Sequence, residues 1–453
     1  MRLFDDNGLR AMEATRALLD AGPVMTDAQG GPWVYAGGVW RPDPIEVQRR
    51  IVHLLKERYR PSHARTIREV LPAVVGRFDI APTTPLINMV NGMVRWQSDP
   101  DPELLEHHPE FLSSVQLPVP WEPTAACPRF DAFLSDSLPE DDHNRAWQVI
   151  GYFMMAGNPL QRLFMLTGSG GNGKGVYLDV LRALLGEDNV SAVPLQEFSD
   201  SRFATAELVG KLANVCGDID ATFITNTGRI KELSGGDKMK GERKNEHPFY
   251  FKFWGKAIFS ANAIPGAADS SRGWLRRWEV VQFPYEPTKP DPGLAARIIA
   301  EELPGIAVKA IMALRQLMAY GEFGRGLSAD TAHAEFAEKA NRVIRWINDP
   351  DSNVIRDADT FNKGTILVRA FRQWEAEDQG NGHREIGVQR FHELARQAGL
   401  LATVKRGNRG YYGLHVRDGV MVHPKDQPWM NVTRERVHLD PAPPPEPEQA
   451  TLV

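Results

Sequence analysis

Four apolar residues stand in a row at Leu163–Leu166, and beyond them the spacing changes. Val176, Tyr177, Val180, Leu181, Leu184 and Leu185 fall on one helical face, with Gly186 placed to end the helix. The first run predicts a buried strand and the second an amphipathic helix. Further apolar runs at Leu212–Cys216, in WGKAIFSANAIP and in WEVVQF predict more strands, so residues 151–291 read as an α/β domain. Upstream, Val47, Ile51, Leu54 and Leu55 are helically spaced, PWVYAGGVWRPD reads as a short aromatic hairpin, and a helix is expected around Asn144–Met155. Ala81–Pro128 between them is Pro-rich and expected to be irregular, leaving residues 1–150 as a mainly helical domain. Downstream, Leu294, Ile298, Ile299, Ile306, Ile311, Leu314 and Leu317 predict a helical linker or lid over 292–345. TILVRAFRQWEAE, VQRFHELARQAGL and the turn-rich KRGNRGYYGLHV then read as helix, helix and wing over 346–418. Residues 419–453 lose periodicity and end in HLDPAPPPEPEQATLV, expected to be a flexible tail. No internal repeat is seen.

At 453 residues the chain suggests several domains, and 42% hydrophobic with 25% charged residues is ordinary globular composition. The net charge of -5 argues against a chain coated in nucleic acid, so any basic surface must be local. Cys127 and Cys216 lie far apart and form no CxxC pair, which supports neither a disulfide framework nor a zinc ribbon. A reducing compartment is expected. The opening MRLFDDNGLRAMEATRALL lacks signal-peptide order, and no apolar run approaches the roughly 20 residues that cross a bilayer. A cytoplasmic protein without a membrane partner is expected.

The strand and helix around residue 170 enclose GSGGNGKG: Gly168, Ser169, Gly170, Gly171, Asn172, Gly173, Lys174 and Gly175. Between a strand and a helix N-terminus, backbone amides can wrap the phosphates of a nucleotide, and Lys174, expected as a solvent-facing loop lysine, can reach the terminal ones. Gly175 replaces the usual magnesium-binding hydroxyl, which leaves Mg2+ to the nucleotide, water and a downstream acid. KLANVCGDIDA supplies Asp218 and Asp220, 44 and 46 residues beyond Lys174, as candidates for holding magnesium and orienting water. Asn262, 88 residues beyond Lys174, follows the next strand and can polarise that water. Arg276 and Arg277 precede the last strand, where arginine can stabilise a transferring phosphoryl group from a neighbouring subunit. The bland alternatives are a structural glycine turn, a solvated acidic turn, a capping Asn and an arginine pair at a strand edge.

Two segments are candidates for DNA contact. Lys238, Lys240, Arg243 and Lys244 follow Gly235–Gly236 and could form a projecting basic hairpin, or simply a solvated charged face. Lys405, Arg406 and Arg409 surround Gly407–Asn408 beside Tyr411 and Tyr412, a wing that could contact phosphates and stack bases, or dock a protein.

The order of glycine loop, paired acids, basic segment, Asn after a strand and Arg-Arg before a strand resembles superfamily 3 helicases, specifically the helicase part of phage and plasmid primase-helicases. INMVNGMVRW, PWEPTAACPRFDAFL and IKELSGGDKMKGERK resemble that family too, and the resemblance runs from about residue 30 to about 415. It implies an AAA+ P-loop core, with a winged-helix domain behind it, in a hexameric ring that hydrolyses ATP and translocates on single-stranded DNA at a replication fork. Lys174 would take the phosphates, Asp218 and Asp220 magnesium and water, Asn262 the γ-phosphate, and Arg276 or Arg277 the neighbour's site. The basic segment would supply pore loops. Some members carry Gly where this chain has Gly175. Longer members place a primase upstream; with no room for one before residue 30, priming is not expected here, and a separate primase or loader is an implied partner in a bacterial host cell. The competing expectations are a small-molecule P-loop kinase and an ATP-bound origin-binding or assembly factor with weak hydrolysis.

Overall fold

The computed structural model describes residues 3–6, 8–27, 29–78, 86–219, 224, 226–262, 265, 267, 271–287, 290–379 and 386–433. The chain divides into two compact units, Met1–Ala340 and Asn341–Val453.

The first unit is organised by a parallel sheet. Its elements are β1 (Leu163–Thr167), α1 (Lys174–Leu185), β2 (Val190–Ser191), β3 (Ala213–Cys216), α2 (Thr227–Gly235), β4 (Lys238–Gly241), β5 (Phe249–Lys252), β6 (Lys256–Ala261) and β7 (Trp278–Gln282). The strand order is β2-β3-β6-β1-β7, with every neighbour parallel, while β4 and β5 form a separate antiparallel hairpin inserted between β3 and β6. Strands β1, β3 and β6 are buried along their whole length, which explains why they are mostly apolar: both faces of a parallel sheet are covered. Alternation still sorts the side chains. Phe164 and Leu166 of β1 enter one core, and Leu163 and Met165 enter the core on the opposite face.

The first of these cores runs from Ile87 to Phe323 and includes Phe130, Phe153, Tyr177, Leu181 and Leu314. The helices Glu140–Met154 and Leu303–Tyr320 therefore pack on the same apolar body as α1 and the sheet. The Pro-rich stretch expected to be irregular carries a small antiparallel sheet, Ile87–Met89, Gly92–Arg95 and Glu103–Leu105. Strands of three or four residues are too short to display a period, and only packing reveals them.

Ahead of them, the helices Ala11–Leu19, Pro44–Leu55 and Pro61–Val74 share a core that includes Ala14, Val47, Ile51 and Ile67. Asp43 caps the middle helix by accepting the Glu46 N–H at 2.7 Å, and Pro44 occupies the first helical position. The aromatic hairpin forms as Pro32–Ala36 against Val39–Pro42, joined by Val24–Thr26.

The second unit holds the helices Arg342–Asn348, Gly364–Gln379 and Val388–Gln397 around Trp346, Phe371 and Phe391. Its four strands stand in the order Leu401–Lys405, Asn408–Val416, Val354–Lys363, Val432–Thr433. Arg406 and Gly407 both have positive φ, 47° and 80°, so a two-residue primed turn joins the first two strands. Structure continues past Asp418, where periodicity ended: Val432 pairs with Phe361. Among the described residues no helix is long and apolar enough to cross a membrane, and Cys127 and Cys216 are both free and buried.

Candidate functional site

Parallel register brings the C-terminal ends of the central strands to one edge. Thr167 pairs with Ala261 on one side and Gln282 on the other, and Cys216 pairs with Phe259. Ligands of open α/β sheets bind at this edge.

The glycine loop leaves β1 here and enters α1 at Lys174. A side chain at Gly168, where φ is 144°, would place its Cβ 2.1 Å from Asn172 Nδ2 and 2.3 Å from the Phe283 carbonyl oxygen. At Gly173, with φ 95°, it would meet the Phe133 ring at 2.7 Å. Only glycine allows the loop to fold this tightly. Asn172, 1% exposed, ties the loop to the end of β7 by donating to the Phe283 carbonyl at 2.6 Å. The exposed Ser169 hydroxyl donates to Glu286 at 2.6 Å, a second tie to the segment after β7.

Lys174 is buried, at 5% exposure, which corrects the expectation of a solvent-facing side chain. Its ammonium donates to Gly168 O at 2.7 Å, Ser169 O at 2.8 Å, Asn172 Oδ1 at 3.0 Å and Asn262 Oδ1 at 3.2 Å. The loop closes around its own lysine. Desolvation lowers the Lys174 pKa, and the charge of Asp218 opposes that shift.

Asn262 reaches this point because β6 lies between β1 and β3. The same strand positions Asp218: the Asp218 N–H donates to Ser260 Oγ at 3.1 Å and the Ile219 N–H to Ser260 O at 2.9 Å. These bonds hold Asp218 at φ 49°, a conformation uncommon for a residue with a side chain, with its carboxylate exposed at the sheet edge. Asp220 lies outside the described residues. Sequence reasoning missed Ser260, Asn172 as a tie and Glu286, since a serine inside an apolar strand carries no signal of what it holds.

Gly175 has nothing within 4 Å of the position a Cβ would take, so the missing hydroxyl reflects no lack of space. Gly175→Ser is expected to fold normally and to gain about 0.5 kcal/mol of stability from helix propensity; if the loop serves a magnesium nucleotide, the added hydroxyl is expected to lower the magnesium concentration that half-saturates its turnover. Magnesium titration of the rate checks this; an unchanged midpoint would separate the position from the metal. Among the described residues no three His, Cys, Asp or Glu side chains gather as a metal cage. Asp218 and the open space at Gly175 suit an ion that keeps water and phosphate ligands.

Arg276 and Arg277 are at the other end of the sheet. The Leu163 N–H donates to Arg277 O at 2.6 Å and Trp278 pairs with Leu163, so the pair stands where β1 and β7 begin. A five-residue strand separates that end from the glycine loop, roughly 16 Å at about 3.3 Å per residue. The two arginines differ: Arg277 is half-buried and its guanidinium donates to the Gly273 carbonyl, whereas Arg276 is exposed, its guanidinium 3.5 Å from Gln161 Oε1. Buried charge supports the Arg276 backbone. Arg162 donates to the Arg276 carbonyl and pairs with Glu279 at 3.2 Å, and Glu279 pairs at 3.1 Å with Arg145, itself 3.3 Å from Asp142.

The basic segment forms the β4–β5 hairpin, pairing Lys238 with Lys252 and Lys240 with Tyr250. Lys238, Lys240, Arg243 and Lys244 are exposed, while Met239 is buried beneath them. In the second unit Arg406 and Arg409 are exposed at the turn and Lys405 lies over the Tyr412 ring at 5.8 Å. Tyr411 corrects an expectation: it is 5% exposed and its hydroxyl donates to His392 O at 3.2 Å, so it belongs to the core and is not free to stack on a base.

Residues 14–139 match the family described as D5 N terminal like, and residues 166–277 match a family of unknown function, DUF5906. The second span begins at the end of β1 and ends at Arg277, taking in the glycine loop, Asp218, Asn262 and the arginine pair. A protein of Acanthamoeba polyphaga mimivirus named "Putative helicase" is 28% identical over 133 residues, 28% of this chain and 14% of that protein; the chain thus spans a small part of that relative. Among solved structures, an apo form of the NrS-1 C-terminal region (305–718) superposes with a TM-score of 0.52 at 13% identity, covering 89% of this chain and 99% of that one. A second apo structure of that region gives 0.49 at 13% identity, covering 90% and 99%. The chain shares its fold with the first of these and sequence with a protein named as a helicase.

Proposed function

We propose that this protein is an ATP-dependent DNA helicase of phage or mobile-element replication, a P-loop motor of the AAA+ type that works as a ring, a hexamer by the family resemblance, on single-stranded DNA. The observation that carries the reading is the contact of Lys174 with Asn262 at the sheet edge where Asp218 follows β3. Residues 88 positions apart meet because a strand stands between the glycine-loop strand and the acid strand. A carboxylate can orient a water to attack the terminal phosphorus, while the loop lysine and the amide stabilise the phosphate charge as the bridging P–O bond breaks and the nucleoside diphosphate leaves. Magnesium, held by Asp218, water and the nucleotide, would supply charge neutralisation; Asp220 is a second candidate ligand.

Arg276, exposed and remote from its own loop, suits a neighbour's site, which favours a ring over a monomeric small-molecule kinase. The basic hairpin suits a DNA backbone, and the helices and paired strands of the second unit suit a winged helix with Lys405, Arg406 and Arg409 toward phosphates. A separate primase or loader in a bacterial host is the partner implied. The deciding experiment is ATP hydrolysis and strand separation on size-fractionated protein, with and without single-stranded DNA. Hydrolysis that ignores DNA would refute the helicase reading, and binding of ATP without turnover would favour the assembly factor.

Neutralising Lys238, Lys240 and Lys244 together is expected to weaken single-strand binding across sequences. Each lost phosphate contact should flatten the log-log salt dependence by roughly 0.7. An unchanged slope in a salt titration would place the hairpin outside the DNA path.

A further inference from the structure

The exposed face of the β4–β5 hairpin carries a pairing that does not serve the fold. Lys238 and Lys252 stand directly opposite each other, and like charges in that position destabilise an antiparallel pair. Among the described residues neither lysine makes an ion pair; Lys240, one step along, is neutralised by Glu242 at 2.6 Å. The opposed charges call for an anion.

Opposite Lys240, on the same face, stands Tyr250. Tyr250 is 69% exposed, while Phe251 beside it in sequence turns to the other face and packs on the core. Tyr250, Lys238 and Lys240 also line a cleft of about 260 Å³ with Arg202, Arg229, Glu232 and Glu242, so the ring forms one wall of a recess in which four cations face two carboxylates. An aromatic face held among cations suits a ligand with both a π-face and negative charge. Nucleic acid offers both, and only as a single strand does it present unstacked bases to such a ring.

We propose that this face seats a nucleotide of a DNA single strand, its base stacked on Tyr250 and the adjoining phosphates on Lys238 and Lys252. The inference rests on the helicase reading and adds to it a base contact that selects single strands over duplex. Stacking between neighbouring base pairs in a duplex hides the face that Tyr250 needs.

The test compares the unaltered protein with Tyr250→Ala, Tyr250→Phe and Lys252→Gln, by anisotropy of a labelled thymidine oligonucleotide and of an equally long strand with abasic positions, across a salt series. Tyr250→Ala should bind the thymidine strand roughly 5- to 150-fold more weakly, the usual range for one lost stack, with an unchanged salt slope, and should match the unaltered protein on the abasic strand. Tyr250→Phe should retain binding. Lys252→Gln should reduce the slope by roughly 0.7 on both strands. A Tyr250→Ala loss of the same size on the abasic strand, or no loss on either, would overturn the base contact while leaving the helicase reading in place. If the unaltered protein binds neither strand, the helicase reading fails and the base contact with it.

Discussion

Lys174→Ala is expected to lower ATP hydrolysis by at least roughly 10²- to 10³-fold, the usual cost of removing one preorganised charge-stabilising donor. It should also disturb the free protein. Lys174 is buried and serves four oxygens, from Gly168, Ser169, Asn172 and Asn262. Without the ammonium, Asn172 Oδ1 is left in a buried position without its charged donor, at a cost of about 1–3 kcal/mol. The variant should therefore melt earlier as well as turn over poorly, and its nucleotide affinity should fall. Steady-state hydrolysis, nucleotide titration and thermal melting check the three effects. Normal turnover would remove the glycine loop from the active site, and normal melting would mean that the closed loop contributes little to the fold.

The second large effect is expected at the start of β7. Arg276→Ala should bind ATP but hydrolyse it up to about 10³ to 10⁵ times more slowly, by analogy with arginines that complete a neighbouring site. The glycine loop is untouched, so binding survives. Arg277→Ala should affect turnover less, because that guanidinium is occupied with the Gly273 carbonyl of its own helical turn. Mixing Arg276→Ala with Lys174→Ala should recover part of the hydrolysis, since an intact loop on one subunit can receive Arg276 from a neighbour whose loop is dead. Size analysis of the mixtures must accompany the rates. If co-assembled mixtures are no more active than either parent, the trans role fails and Arg276 is better read as support for the strand edge.

Much of the site was legible because its chemistry depends on local chain geometry. A glycine loop must follow a strand and open a helix, so LFMLTGSGGNGKG announces itself. Acids at the end of KLANVC, an Asn after KAIFSA and arginines before WEVVQ each sit at a strand terminus, which apolar runs mark well. The basic hairpin was legible from Gly235–Gly236 and the lysines beyond them. What stayed hidden was every relation between these pieces. Strand order is a property of the whole sheet, and nothing in KAIFSA says that it inserts between the other two strands.

The sequence alone therefore determined the elements and the chemical groups: periodicity, glycine placement and the polar residues that end apolar runs act over a few neighbouring positions. Only the tertiary structure decided that Lys174 is buried against Asn262, that Ser260 holds Asp218 at positive φ, and that Arg276 is exposed while Arg277 is engaged. It also decided that Tyr411 belongs to a core and Tyr250 to the surface. The physical reason is burial. Two tyrosines in two polar, turn-rich segments look alike in one dimension, and which of them loses water depends on elements packed against them from distant parts of the chain, His392 for one and none over most of the ring for the other.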